Sequence, residues 1–325
     1  MSLDADHILL RRRMRRKLTF WRVVAVLVVI LAVAAVSVVG RRSGEFTGSA
    51  QIARITISGI IRGDQDRVEA LDKLAKSRIA RAVIVHIDSP GGTTAGSEQL
   101  HQALRRLAAD KPLAVVVDGM AASGGYIAAM AADHIVAGDT SLVGSIGVLF
   151  QFPNVTDLLK TIGVKVEEIK SSPLKAAPNG FEPTSPEARA AIESVVMDSY
   201  AWFRGMVHER RKLDGDALAK VTDGRIFTGR QGVELKLVDA VGNEQAAIDW
   251  LAKEKGIDPK LPVRDWELKS KLGQLSFLHL GAAAVLDAVG LPSLARRLEE
   301  AGTVQALERL NLDGLLALWH PSAGN

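Results

Sequence analysis

The strongest constraint on the fold is a pattern that occurs twice. A nearly unbroken apolar run, Ala82-Val83-Ile84-Val85-His86-Ile87 in one case and Leu113-Ala114-Val115-Val116-Val117 in the other, ends in small residues and passes into a helical stretch. Runs this rich in β-branched residues, with no polar alternation, read as strands covered on both faces, the habit of parallel sheets. The surrounding chain repeats the alternation. Strands are expected at 52–60, 82–87, 113–117, 134–137 and 164–169, with a short stretch at 144–148. Helices are expected at 67–76, 95–109, 127–132, 155–162 and 187–211, and a polar loop at 170–186. This spacing predicts an α/β domain with a mainly parallel sheet built from crossover units. In the last helix Ile192, Val195, Val196, Tyr200, Phe203 and Val207 recur at helical spacing, which predicts one face packed on the domain.

The second run leads into Gly119-Met120-Ala121-Ala122-Ser123-Gly124-Gly125-Tyr126, which puts Ser123 at a strand-to-helix corner. The first N–H groups of a helix lack intrahelical partners, so negative charge beside Ser123 would be stabilised there, by the Gly124 N–H above all. Small neighbours leave room for a substrate carbonyl. The plain alternative is that Ser123 is only a helix cap, since serine is a favoured one. The first run ends in Asp88-Ser89-Pro90-Gly91-Gly92-Thr93. Two glycines after a proline permit positive φ and can turn an N–H outward, as the other half of an oxyanion hole.

A serine nucleophile needs a base. His86 lies in a strand, His101 in a helix with charged neighbours and His134 in a short strand, positions that suit structural or solvated roles. Two lysines, Lys170 and Lys175, stand in the loop after the expected 164–169 strand, with Pro173 and Leu174 as an apolar wall. A lysine acts as base only if its pKa falls from ~10.4 toward neutrality, and burial can shift it by up to ~3–5 units. Both lysines stay open on these grounds.

The ordered set Ser89-Pro90-Gly91-Gly92, Ala121-Ala122-Ser123-Gly124-Gly125-Tyr126, Gly144-Ser145-Ile146-Gly147-Val148, 170–175 and Asp223-Gly224-Arg225-Ile226-Phe227-Thr228-Gly229 resembles the signal peptide peptidase A family. These are membrane-anchored serine proteases of the ClpP/crotonase fold, and the resemblance covers residues 50–255. It implies repeated β-β-α units, a Ser-Lys dyad of Ser123 and Lys175, a lysine-orienting Ser145, and an oxyanion hole of Gly92 and Gly124. Ser172 and Ala176 depart from the commoner family form of this loop, where glycine and aspartate stand. The resemblance also implies substrates, namely cleaved signal peptides and other small unfolded polypeptides, and a ring-like homo-oligomer. It implies no cofactor and no metal.

Charge and hydropathy bound the rest. The net charge of +4 is concentrated at the start: residues 1–22 hold seven basic residues against Asp4 and Asp6, a net +5, which leaves −1 for the remainder. A nucleic-acid footprint on the folded body is not supported. Residues 23–40 carry no charge and, at ~1.5 Å per residue, would cover about 27 Å as a helix, near the thickness of a bilayer core. Phe20 and Trp21 flank the run, and only Arg41 and Arg42 follow it. A single anchor is expected, with 1–22 cytoplasmic, a linker at 41–50 and the 51–255 domain on the extracytoplasmic side of a bacterial inner membrane. A cleaved leader is the rival, since Ala32-Val33-Ala34 resembles a cleavage site, but the run exceeds the ~7–15 residues of a leader core. Cysteine is absent, which excludes disulfides and thiolate metal sites.

Residues 256–325 lie outside the resemblance. An apolar stretch from Leu275 to Leu286, broken by His279, is too short for a second span, and an amphipathic helix is expected from Pro292 before Leu315-Leu316-Ala317-Leu318-Trp319. This tail packs on the core or contacts other subunits or the bilayer. Two other functions fit the fold: a crotonase-type hydratase or isomerase of CoA thioesters, which an N-terminal anchor argues against, and a catalytically silent membrane scaffold.

Overall fold

The apolar runs form strands longer than the runs themselves, because pairing continues through the small residues that follow them. The computed structural model describes residues 22, 49–268 and 315–318. In chain order these form β1 (Gln51–Ile61), α1 (Gln65–Ala75), β2 (Ala80–Thr93), α2 (Thr94–Asp110), β3 (Leu113–Ala122), α3 (Gly124–Ala129), β4 (His134–Ala137), β5 (Leu142–Gly144) and β6 (Leu149–Phe150). There follow α4 (Thr156–Thr161), α5 (Pro186–Arg211), α6 (Gly215–Val221), β7 (Ile226–Thr228), α7 (Gly229–Glu234), β8 (Ala240–Val241), α8 (Glu244–Lys255), β9 (Val263–Asp265) and β10 (Leu315–Leu318). All belong to one compact unit, Ala50–Asn325. The expected span at 23–40, the basic segment before it and the helix from Pro292 lie outside the described residues. Among the described residues no helix is long and apolar enough to cross a membrane.

Strands β9, β1, β2, β3, β4 and β8 pair in parallel in that order. Alternate residues of each strand serve opposite faces. Ala53, Ile55, Ile57, Val83, Val85, Ile87, Val115 and Val117 pack on one side with Leu71 and Leu74 of α1 and Leu100, Leu104 and Leu107 of α2. Ile52, Ala82, Ile84, Ala114, Val116 and Val136 pack on the other with Ala247 and Leu251 of α8. Covering both faces explains why the runs are continuous rather than alternating. Each fully buried leucine or isoleucine adds roughly 1.5–3 kcal/mol of gross burial energy.

Strand β3 changes partners along its length. Ala114 to Val117 pair with β4, whereas Met120 to Ala122 pair with β5. Strand β5 pairs in turn, antiparallel, with β7. The short β10 lies antiparallel to both β2 and β6.

One expectation is corrected and another is met in part. Residues 164–169 form no strand, and Val164, Val166 and Ile169 are exposed. Their pattern suits a strand, but Val164 N–H bonds back to the Leu159 carbonyl at 2.9 Å, closing the end of α4, and no ladder among the described residues includes them. In α5 Phe203 and Val207 are buried, Ile192, Val196 and Tyr200 are half-buried and Val195 is exposed, so the expected apolar face meets the domain most fully at its C-terminal end.

Helix α8 is tied to the sheet by charge. Arg54 of β1 donates from Nε and a terminal nitrogen to the two carboxylate oxygens of Glu244, both at 2.6 Å. His86 Nε2 lies 2.8 Å from the same carboxylate. The Arg54 guanidinium, more than the His86 contact, holds the Glu244 carboxyl below its ordinary value of 4.5. A depressed carboxyl stabilises the fold above its unfolded value and stops doing so as pH falls through the folded one. Glu244→Gln should therefore lower stability by about 1 kcal/mol near neutral pH, the pair being partly solvated. In thermal melts the deficit should shrink as pH drops below about 4.5.

Candidate active site

Ser123 stands between the end of β3 and the start of α3 with φ 53° and ψ −114°, a backbone that side chains rarely adopt. It is 1 % exposed, and its side chain makes no capping hydrogen bond to the helix. The cap alternative therefore fails for Ser123: the residue stands at the corner but does not satisfy the helix. Strain of this kind, held by surrounding structure, concentrates at functional sites. The corner is held by backbone bonds. Ser123 N–H donates to the Gly144 carbonyl at 2.8 Å, and Ser123 O accepts from Tyr126 and Ile127 N–H groups at 2.9 and 3.0 Å. The fully buried Tyr126 anchors α3 by donating its hydroxyl to the Leu237 carbonyl at 2.7 Å, and burial pushes that phenol well above its usual pKa.

Ser145 follows at the next position after Gly144 on β5. It too has positive φ, 51°, is buried, and donates its N–H to the Arg225 carbonyl at 2.8 Å. The pairing of Ala122 with Gly144 thus brings Ser123 and Ser145 to one end of the sheet. The ladder supplies the physical reason these two strained serines stand together, which their spacing along the chain does not show.

Ser89–Gly92, expected as a turn after the strand, is instead the continuation of β2 and lies against the same corner. Ser89 pairs with Ala121, and a Cβ on Gly125 would come within 2.7 Å of the Ser89 carbonyl oxygen, so only glycine lets α3 approach this closely. Ser89 Oγ donates to the Gly59 carbonyl at 2.7 Å and accepts from Gly91 N–H at 3.1 Å, where the β1–β2 register shifts. Of the two glycines Gly91 alone has positive φ, 108°. Gly92 stays in the strand, paired with Ile61 and with Ala317 of β10, and a Cβ there would collide with the Ile61 backbone. Gly124 opens α3 at the corner itself.

The base candidates separate clearly. His101 Nδ1 donates to the Ile127 carbonyl at 2.7 Å and burial lowers its pKa. His86 is held between Asp118 and Glu244, and His134 stacks on Trp250 with ring centroids 4.7 Å apart. None of the three hydrogen-bonds Ser123. Lys170 is clamped by Glu168 and Glu182, each 2.5 Å from its amine, and the two carboxylates, Glu168 first, hold it above the usual lysine pKa. A lysine held as a cation is no base at neutral pH. Lys175 is exposed, on a turn closed by its own N–H to the Ser172 carbonyl at 3.1 Å, followed by Ala176 at φ 57°. Within one chain no hydrogen bond joins it to Ser123: the ladders bring Ser123, Gly124 and Ser145 to one corner with Ser89 of β2 beside Ala121, and Gly92 lies three residues further along β2, while Lys175 stands in the exposed segment 156–181. Among the described residues no cluster of histidine and carboxylates could hold a metal ion.

A strained, uncapped serine just beyond a parallel strand marks this corner of the α/β fold as the candidate active site. The profile of Peptidase family S49 matches residues 105–258. A Synechocystis protein named as a candidate protease is 36% identical over 64% of this chain and 76% of its own length. An Enterococcus faecium protein named as a candidate signal peptide peptidase SppA is 30% identical over 65% of each, so this chain spans a little under two thirds of it. A solved ClpP1 mutant of Listeria monocytogenes aligns with 58% of this chain and 91% of its own at 15% identity and a TM-score of 0.40, a remote likeness. The chain belongs to peptidase family S49 and is a serine-type peptidase by that membership.

The close approach of α3 to β2 gives a direct test of the corner. Gly125→Ala places a methyl group against a backbone carbonyl that cannot swing away. It should cost about 1–3 kcal/mol of stability, the usual penalty of overpacking, read by urea or thermal unfolding.

Proposed function

We propose that this chain is a membrane-anchored serine endopeptidase with a Ser-Lys dyad, acting on cleaved signal peptides and other small unfolded polypeptides. The observation that carries the reading is Ser123 at positive φ, uncapped, beside Gly124 and the Ser89–Gly92 end of β2. Neutral Lys175 takes the Ser123 hydroxyl proton, and the alkoxide attacks a peptide carbonyl. The Gly92 and Gly124 N–H groups stabilise the oxyanion, and Ser145 orients the amine. The proton passes to the departing amine, an acyl-enzyme remains, and water hydrolyses it.

The clamping of Lys170 favours Lys175 as base, and the exposure of Lys175 favours a site completed between copies. Exposed apolar side chains gather on the arm that bears it: Leu158, Ile162, Val164, Ile169, Leu174 and Phe181. Soluble proteins rarely leave so many in one region uncovered. The arm of one copy would then pack on the next, in a ring-like homo-oligomer, and bring Lys175 to a neighbouring Ser123. An extended substrate suits this strand end, because β10 of this chain already lies antiparallel to Gly91, Gly92 and Thr93. The scaffold is read as ClpP/crotonase-like. Residues 23–40 would anchor the domain on the extracytoplasmic side of the inner membrane, close to peptides released there.

Hydrolysis of an unfolded peptide and labelling by a fluorophosphonate probe test this. Ser123→Ala should abolish both, and Lys175→Ala should reduce hydrolysis by roughly 10²-fold or more. Mixing the two inactive variants should restore activity if base and nucleophile come from different copies. The wild-type rate should rise with pH across about 6–9 as the base loses its proton, and a flat profile would remove lysine from the role.

A further inference from the structure

The ladder between β2 and β3 slips next to the corner. Ile87 pairs with Val117 and Ser89 with Ala121, so Asp118, Gly119 and Met120 stand opposite Asp88 alone. This bulge is where β3 passes from β4 to β5, three residues before Ser123. An extra length of strand must have its backbone groups satisfied and its phase set, and bulges re-aim the residues beyond them.

The partners are specific. Ser141 Oγ bonds the Val117 and Asp118 carbonyls at 3.0 and 2.6 Å. From the other strand, Asp88 Oδ1 accepts the Met120 N–H at 3.1 Å. The carboxylate lies flat on Gly119, where a Cβ would fall 2.6 Å from Oδ1. The strand that carries Asp88 runs on through Ser89 into Gly91 and Gly92. One side chain therefore joins the nucleophile strand to the oxyanion strand at the point where their register is lost.

We propose that Asp88 is a positioning residue, fixing the phase of the β3 bulge and through it the placement of Ser123 against Gly92. The inference rests on the peptidase reading and adds to it a residue that touches neither substrate nor the reacting atoms. Asp88 is exposed, so its bond adds little to global stability and its value lies in geometry. A displacement of about 1 Å at a reacting group can cost 10²-fold in rate.

The test uses the full chain, with peptide hydrolysis, fluorophosphonate labelling of Ser123 and thermal melts. Asp88→Ala should lower kcat and the labelling rate roughly tenfold or more with little change in KM. Asp88→Asn keeps an oxygen acceptor for Met120 N–H and should retain most of the activity. Gly119→Ala, which forces the carboxylate aside, should act like Asp88→Ala and cost less in an Asp88→Ala background than in the wild type. Wild-type rates in Asp88→Ala, or equal losses in Asp88→Asn and Asp88→Ala, would overturn the proposal while leaving the peptidase reading intact. If the wild type itself takes no label at Ser123, both fall together. Should Asp88→Ala be too unstable to assay, the Asn variant and Gly119→Ala decide: activity kept in the first and lost in the second supports the proposal, and any other pair of results overturns it.

Discussion

Everything at the site depends on β3 being clamped over its whole length. Its first half is gripped between β2 and β4 and covered on both faces, by α2 on one side and α8 on the other. Its second half is handed to β5. A strand so constrained can carry a strained residue at its end, because the cost of φ 53° at Ser123 is met by packing and ladder bonds formed elsewhere. On a free loop the same residue would relax. Rigidity of the support, more than the chemistry of serine, is what makes the corner usable.

Glycine plays two different parts around that corner. Gly91 supplies a conformation, at φ 108°, whereas Gly92 and Gly125 supply proximity, against Ile61 and Ser89. Small residues clustered after a strand are thus not simply a flexible turn. They allow three backbone segments, β1, β2 and α3, to approach more closely than any side chain would permit.

The two lysines show how context sorts identical side chains. Lys170 sits between Glu168 and Glu182 and keeps its proton. Lys175 lies five residues on, outside any such pairing, on an arm whose apolar residues face solvent in a single chain. The expected strand at 164–169 did not form in this segment. Its hydrophobic pattern is sound, but a pattern states that burial is wanted and not which chain provides it.

The amino-acid sequence by itself determined the alternation of strand and helix, the parallel sheet and the corner position of Ser123, since these follow from local periodicity and from runs that only a doubly covered sheet can use. It also marked the glycine pair, although not which glycine would take the positive φ. Tertiary structure decided the register slip at Asp88, the adjacency of Ser123 and Ser145 through Gly144, and the charge clamp that removes Lys170. Those features depend on which distant backbone pairs with which. A residue's spacing along the chain encodes its own face, but not the phase of the strand that comes to lie beside it.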